Sequence, residues 1–428
     1  MNATVHHLHN ARPVAAFIRV GHRDHRWLED RLASGRLPFR RFVFEAAHID
    51  EQLQLAGALK KAGHEIVLDT NFAELGSLGK FGGAVSKLPW ARSDRPWCPD
   101  DLGGNRADFV ASQIAEFAVS RKVDVVLSPS HLLEEQEWLS RDAQLANALR
   151  RALDRLGGAD ISIDFQLIVT AALLRRQDFR AETRVVLAHV EAENVWLRTS
   201  GFDAHSTGTG TRRFIEAVRD FHGCGKPLIA DMTGGMPALA AAAAGAIGGI
   251  SHGVGQKEAF RASEYRRVPV SSGGGGARRV YVGDLGRWLT EEQFHQIVQT
   301  KGAKSKLYCR DTVCCPHGKD DMMENAKGHF LHQRAGQLQD LSRVPEARRE
   351  EHFLVHHIGP ALSTARSLSR LKYEDRRILE TVQAEKKRLS LMNDVLRDLL
   401  LESKDVSRSE SPLFRGGAGN LVVLGGRL

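Results

Sequence analysis

Three of the chain's five cysteines fall in one short stretch, YCRDTVCCPHG at 308–318, with His317 two residues beyond the last of them. Zinc takes four nitrogen or sulfur ligands in a tetrahedron, and a short loop supplying two or three thiolates is the usual start of a structural site. Cys309, Cys314 and Cys315 are therefore candidate ligands of a structural Zn2+. His317, His329 and His332 are available to complete the set, and His332 is the expected fourth ligand. Adjacent cysteines seldom serve one ion, so Cys314 and Cys315 compete for a place. The plainer alternative is a thiol-rich loop without metal, because 19 histidines put one near many stretches by chance.

A second set of reactive groups stands where short apolar runs end. RFVFEAAH ends in Glu45 and His48, EIVLDTN in Asp69 and Asn71, and VDVVLSPSH in Ser128, Ser130 and His131. NVWLRTSG carries Arg198 and Ser200, with Asp203 and His205 just beyond; PLIADMTG carries Asp231 and Thr233. GGISHGVG carries Ser251 and His252, and RRVYVGDL carries Asp284. Acid–base and nucleophilic chemistry both need such groups held close together. Otherwise they are ordinary loop polarity and helix caps. In GGISHGVGQKEAF, the backbone of Gly253 and Gly255, the side chain of Lys257 and a helix starting near Gln256 would suit a phosphate. Gly234–Gly235 would let a flat ligand lie against backbone, or would simply form a turn.

Positioning these groups is the task of an alternating pattern. β-branched runs at 41–48, 65–71, 123–130, 164–171, 194–201, 227–234, 248–255 and 278–285 read as strands, separated by helix-patterned segments such as MPALAAAAAGA. Near-continuous apolar strands between helices indicate a parallel sheet covered on both faces. The spacing predicts an α/β fold, a (β/α)8 TIM-type barrel over 41–290, whose active site would lie at the strands' C-terminal ends. An open doubly wound sheet is the alternative, weakened by the missing Gly-x-Gly-x-x-Gly fingerprint. AAFIRVGH (15–22) reads as a ninth strand or a plug within an N-terminal lead-in, 1–40. After the barrel come a zinc subdomain (291–335), a helical region (336–403) and a flexible Ser- and Gly-rich tail (404–428). SSGGGG (271–276) reads as a flexible loop.

Composition narrows the class. Apolar residues make up 42% and charged residues 26%, as in a folded globular chain. No long apolar run or leader pattern suggests a membrane partner, and few cysteines argue against a disulfide framework; the expectation is a cytoplasmic protein. A net charge of +8 and a pI near 9.3 favour an anionic partner, nucleic acid or a phosphorylated metabolite. A homodimer is compatible with this reading, but nothing in the sequence fixes the oligomeric state.

The order of the motifs resembles the queuine/archaeosine tRNA-guanine transglycosylase family, including its DNA-modifying relatives. The resemblance runs from Asp69 in EIVLDTN through Gly234–Gly235 in MTGGMPAL and Gly253–Val254–Gly255 in SHGVG to Asp284 in YVGDLG. It ends at Cys309-x-Asp311-x-x-Cys314. It implies a barrel transferase, a glycosyltransferase that replaces guanine in tRNA or DNA by a 7-deazaguanine. Asp284 would be the nucleophile, Asp69 the acid/base, and the glycine pair would contact the incoming base. The other candidate substrate-binding residues, Ser128, Asp231, His252, Gly253, Gly255 and Lys257, come from their places at strand ends and in the glycine turn, and the resemblance adds zinc holding the subdomain. The wording departs from the family's: Asp311 stands where its middle cysteine belongs, LDTNFAEL lacks its Asp-Ser-Gly-Gly-Phe-Gln, and VVLSPS offers serines where a base-reading aspartate is expected.

Two other functions compete. One is a barrel enzyme for a small phosphorylated metabolite, with Gly253–Lys257 as cradle and Asp69, Asp231 and His252 as acid/base groups. The other is an inert barrel carrying an interaction module at 335–400, whose leucine spacing and i,i+4 charge pairs suit partner binding.

Overall fold

The computed structural model describes residues 13–134, 137–255, 257–268 and 277–409. Its first eight strands are β1 (Ala15–Arg19), β2 (Arg41–Glu45), β3 (Glu65–Asp69), β4 (Val125–Leu127), β5 (Ser162–Thr170), β6 (Val195–Ser200), β7 (Leu228–Asp231) and β8 (Gly249–Gly253). They run parallel, helices alternate with them, and each pairs with the next. β8 returns to β1, with Ala15 opposite Gly249 and Arg19 opposite Gly253, so the sheet closes as the (β/α)8 barrel expected from the alternation.

Strand side chains are buried on both faces because the barrel interior is filled and helices cover the outside. Phe17, Val43, Val67, Leu127, Trp196 and Ile229 point inward and form one packed layer. Trp196 finds a partner for its indole N–H in Asp164 Oδ2 at 2.7 Å, and its ring meets Phe17 at 4.6 Å. The alanine-rich stretch forms a helix, Gly235–Ala243, in which every residue is buried. Small side chains let it sit close against the barrel.

The barrel's limits differ from the sequence reading. AAFIRVGH supplies β1, so the barrel opens at Ala15 rather than 41. RRVYVGDL is not a barrel strand: β9 (Arg279–Val282) pairs antiparallel with β10 (Arg287–Thr290) in a separate ribbon. Both runs are short and apolar, and such runs look alike whatever sheet they join. The distinguishing signal is the turn: Gly283–Gly286 reverses the chain, with Gly286 in the left-handed region at φ +63°, and RWLT follows as a partner.

The C-terminal helices dock on the barrel. Phe330, in the helix Ala326–Arg343, packs against His252 of β8 (5.2 Å) and Trp288 of β10 (4.7 Å). The helix Arg376–Ser409 crosses Gly208 so closely that a Cβ there would lie 2.4 Å from the Leu391 carbonyl oxygen. That helix runs beyond the expected boundary at 403. The glycine run 271–276 and the tail from 410 lie outside the described residues.

Candidate functional site

Four inward side chains form the top layer of the barrel: Arg19 (β1), Asp69 (β3), Arg198 (β6) and Asp231 (β7). Arg19 donates to Asp231 Oδ1 and Oδ2 and to Asp69 Oδ2, all at 2.7 Å. Arg198 donates to Asp231 Oδ2 and Asp69 Oδ2, both at 2.8 Å. All four are at most 2% exposed. Burial alone would push both carboxyls up, but two guanidiniums overcome it, and Asp69 and Asp231 are held below the ordinary aspartate range. Two positive and two negative charges thus cancel in a dry layer.

Glu74 stands beside this layer with the opposite tendency. Burial first, then repulsion from Asp69, raises its carboxyl above the ordinary range. Its Oε1 accepts the Tyr265 hydroxyl at 2.6 Å and lies 3.7 Å from Arg198. Neighbouring carboxyls whose environments pull their proton affinities apart are a recurrent acid/base arrangement. The sequence reading named Asp69, Arg198 and Asp231 but missed Arg19, Glu74 and Tyr265. An arginine inside the apolar run AAFIRV was a legible signal for Arg19; nothing local marks Glu74 or Tyr265.

Over this layer lies an apolar cap. Phe260, Ala262 and Tyr265 pack with Ala73, Leu132 and Ile168. Ser200 Oγ accepts the Ala262 N–H at 3.0 Å and fastens the cap to the end of β6.

Several expected substrate contacts have internal partners instead. Glu258 Oε1 accepts the Gly235 N–H at 2.9 Å, and a Cβ on Gly234 would sit 1.9 Å from that oxygen. The glycine pair therefore admits a carboxylate of this chain, where a flat base was expected. Glu258 also receives Arg334 (2.7 Å) and the Trp288 indole (2.9 Å), tying β8's loop to β10 and the helix Ala326–Arg343. Gly253 N–H bonds to the Lys257 carbonyl (3.3 Å) and Lys257 N–H to that of Gly255 (2.7 Å), so the supposed phosphate cradle is a turn closed on itself. Residues 257–260 are not helical, and the next helix is the single turn Ser263–Arg266. Lys257 Nζ lies 3.5 Å from Glu45. His252 points out of the barrel between Phe39 and Phe330, and burial lowers its pKa to about 4. Ser128 Oγ accepts the Gln166 N–H at 3.0 Å and meets Ser130 Oγ at 2.9 Å, a tie between β4 and β5. Asp284, expected at a barrel strand's end, sits in the β9–β10 turn.

The thiols of Cys309, Cys314 and Cys315 converge with His329, and the four ligand atoms lie within 4.8 Å of one another, a set that could hold a metal ion. His329 Nδ1 is 3.3 Å from both Cys314 and Cys315 Sγ. Its Nε2 lies 2.9 Å from the Tyr281 carbonyl. A carbonyl only accepts, so Nε2 carries the proton and Nδ1 presents its lone pair to the thiols. Hydrogen bonds from Cys314 and Cys315 hold the Cys309 thiol well below the usual range, whereas donating to Cys309 pushes Cys314 up to about 12 and Cys315 further. A cation among them would favour the thiolate form of all three.

His329 thus takes the place expected for His332, and adjacent Cys314 and Cys315 both take part. Both histidines reach the loop, but His329, held by the Tyr281 carbonyl, meets the sulfurs. His332 instead meets Asp311 Oδ2 at 2.7 Å, while Asp311 Oδ1 accepts the N–H groups of Val313 (2.9 Å) and Cys314 (3.1 Å). Asp311 shapes the loop, and Cys315 supplies the third sulfur.

Beside this cluster lies a cleft of about 650 Å³ whose walls include Asp284, Cys309, Arg310, His332, Asp340 and His357. Burial raises the Asp284 carboxyl above its ordinary range, against the pull of Arg310. No helix among the described residues is long and apolar enough to cross a membrane. Compared with known proteins, the chain matches no family model and no curated sequence.

Proposed function

We propose that the chain is a base-exchange transglycosylase acting on guanosine in tRNA or DNA, with zinc at the Cys3His cluster. One observation carries the reading: a closed (β/α)8 barrel followed by three cysteines and a histidine gathered at one point. Zn–S bonds of about 2.3 Å at tetrahedral angles separate sulfurs by roughly 3.8 Å. Cys314 and Cys315 Sγ are 3.7 Å apart. Cys309, Cys314, Cys315 and His329 would hold the ion, whose contribution is to fix the ribbon and the helix Ala326–Arg343 against the barrel.

The chemistry on this reading moves from Asp284 to the barrel's own top layer. An ionised carboxylate, Asp69 or Asp231, attacks the sugar's anomeric carbon as its bond to guanine breaks. Glu74, which keeps its proton more readily, gives it to the departing base; the incoming base then attacks the same carbon, its nitrogen forming the new bond as the bond to the carboxylate breaks, and its proton returns to Glu74. The cap around Phe260 and Tyr265 lifts to admit the nucleotide. The basic surface attracts the phosphate backbone, so binding weakens steeply with salt.

The test is exchange of labelled guanine into bulk tRNA and into duplex DNA. Glu74→Gln is expected to reduce exchange roughly 100-fold or more, and Asp284→Asn to leave it within a factor of about two of the wild type. Absence of exchange with both polymers by the zinc-loaded wild type overturns the proposal.

A further inference from the structure

We infer that a second metal site, for a divalent first-row transition ion, is built from Asp340, His352 and His357 on the wall of the 650 Å³ cleft. Asp340 lies on the helix Ala326–Arg343, and His352 ends the helix Glu346–Phe353. His357 lies in the turn that follows. Both imidazole Nε2 atoms converge on a single oxygen, Asp340 Oδ2, at 2.7 Å from His352 and 2.8 Å from His357.

This convergence depends on an unusual backbone. Residues five apart in an α-helix point about 140° away from each other. Leu354–Ile358 is wound as a π-helix, whose i→i+5 bonding brings such residues onto one face. The ring centres of His352 and His357 are consequently 6.0 Å apart. Single π turns inside α-helices occur disproportionately at functional sites. A turn kept only for packing would have no need to align two imidazoles with a carboxylate.

Two imidazoles and one carboxylate form a donor set that suits zinc, iron or nickel and differs in kind from the thiolate cluster. Ligands to an ion with bonds near 2.1 Å stand roughly 3.0–3.4 Å apart, so the two imidazole–carboxylate hydrogen bonds, at 2.7 and 2.8 Å, would open by about half an ångström to admit it. Asp340 and His357 face the cleft, and the remaining coordination positions would be open to water or to an oxygen-bearing ligand there.

Equilibrium dialysis of the full chain against micromolar zinc, with elemental analysis, tests this directly. The wild type is expected to hold two ions, and Asp340→Asn, His357→Gln and Cys309→Ser one each. Cobalt substitution checks the fold of the first two variants, because a sulfur-to-cobalt charge-transfer band reports an intact thiolate cluster. One ion per wild-type chain, or two retained in both Asp340→Asn and His357→Gln, overturns the inference. A loss of thermal stability in those variants without loss of an ion would do the same, leaving the triad a helix-to-helix tie.

Discussion

The barrel's top layer and the thiolate cluster handle buried charge in opposite ways. Arg19 and Arg198 neutralise Asp69 and Asp231 within the chain, and every strong donor in the layer has an acceptor. The three thiols and His329 instead bring four ligand atoms within 4.8 Å of one another, a set that could hold a metal ion. The first region is neutralised from within; on the proposed reading the second takes an ion. Stability in the mouth would then answer to substitution of its partners, and stability around residues 309–329 to metal.

The sharpest way to break this contrast is to remove the metal. Chelation, or Cys314→Ser, is expected to destabilise the ribbon and the helix Ala326–Arg343 by at least about 5 kcal/mol. Hydrogen exchange should show protection lost at 279–334 and kept in β2–β6. Equal loss in both regions would make the two one cooperative unit. Next in size is Asp231→Asn. Removing one partner of a buried, hydrogen-bonded charge group costs about 3–5 kcal/mol. The same change at Asp284, on the cleft wall, should cost no more than about 0.5 kcal/mol in denaturant unfolding. Similar costs at both positions would show that the mouth is not the more tightly coupled network.

The smallest effect concerns the seam between the two regions. His252, with its pKa lowered to about 4, stays neutral in the folded chain while an unfolded histidine near 6.5 takes up a proton. The unfolded state therefore binds more protons between those values, and stability falls as pH drops from about 6.5 to 4. The total at stake is on the order of 3 kcal/mol. His252→Gln should flatten that part of the stability profile, and an unchanged slope would assign the loss to carboxyls elsewhere.

The spacing of the cysteines supplied the expectation of a metal loop, and the residues themselves show why its details were misplaced. Cys309, Cys314 and Cys315 were legible because clustered thiols have little packing reason to share a polar loop. The histidine that joins them was not, since His329 and His332 lie about one turn apart and are sorted by distant partners, the Tyr281 carbonyl for one and Asp311 for the other. Gly234–Gly235 was legible as a place where something approaches the backbone closely. That the visitor is Glu258 depends on a loop 23 residues on. Asp69 and Asp231 could be picked out as charges ending apolar runs, but Asp284 ended one just as plainly.

The sequence alone determined the parallel α/β alternation, because strands buried on both faces must be apolar and helices between them amphipathic or small. It also determined that three thiols lie in one loop and that carboxylates end several strands. Tertiary structure decided which strands close the barrel, since β1 and β9 carry equivalent local patterns and differ only in their partners. It decided, too, that Asp69 and Asp231 face two arginines while Asp284 faces a cleft. Strand parity and closure set the direction of a side chain, and neither can be read from the residue or its neighbours in the chain.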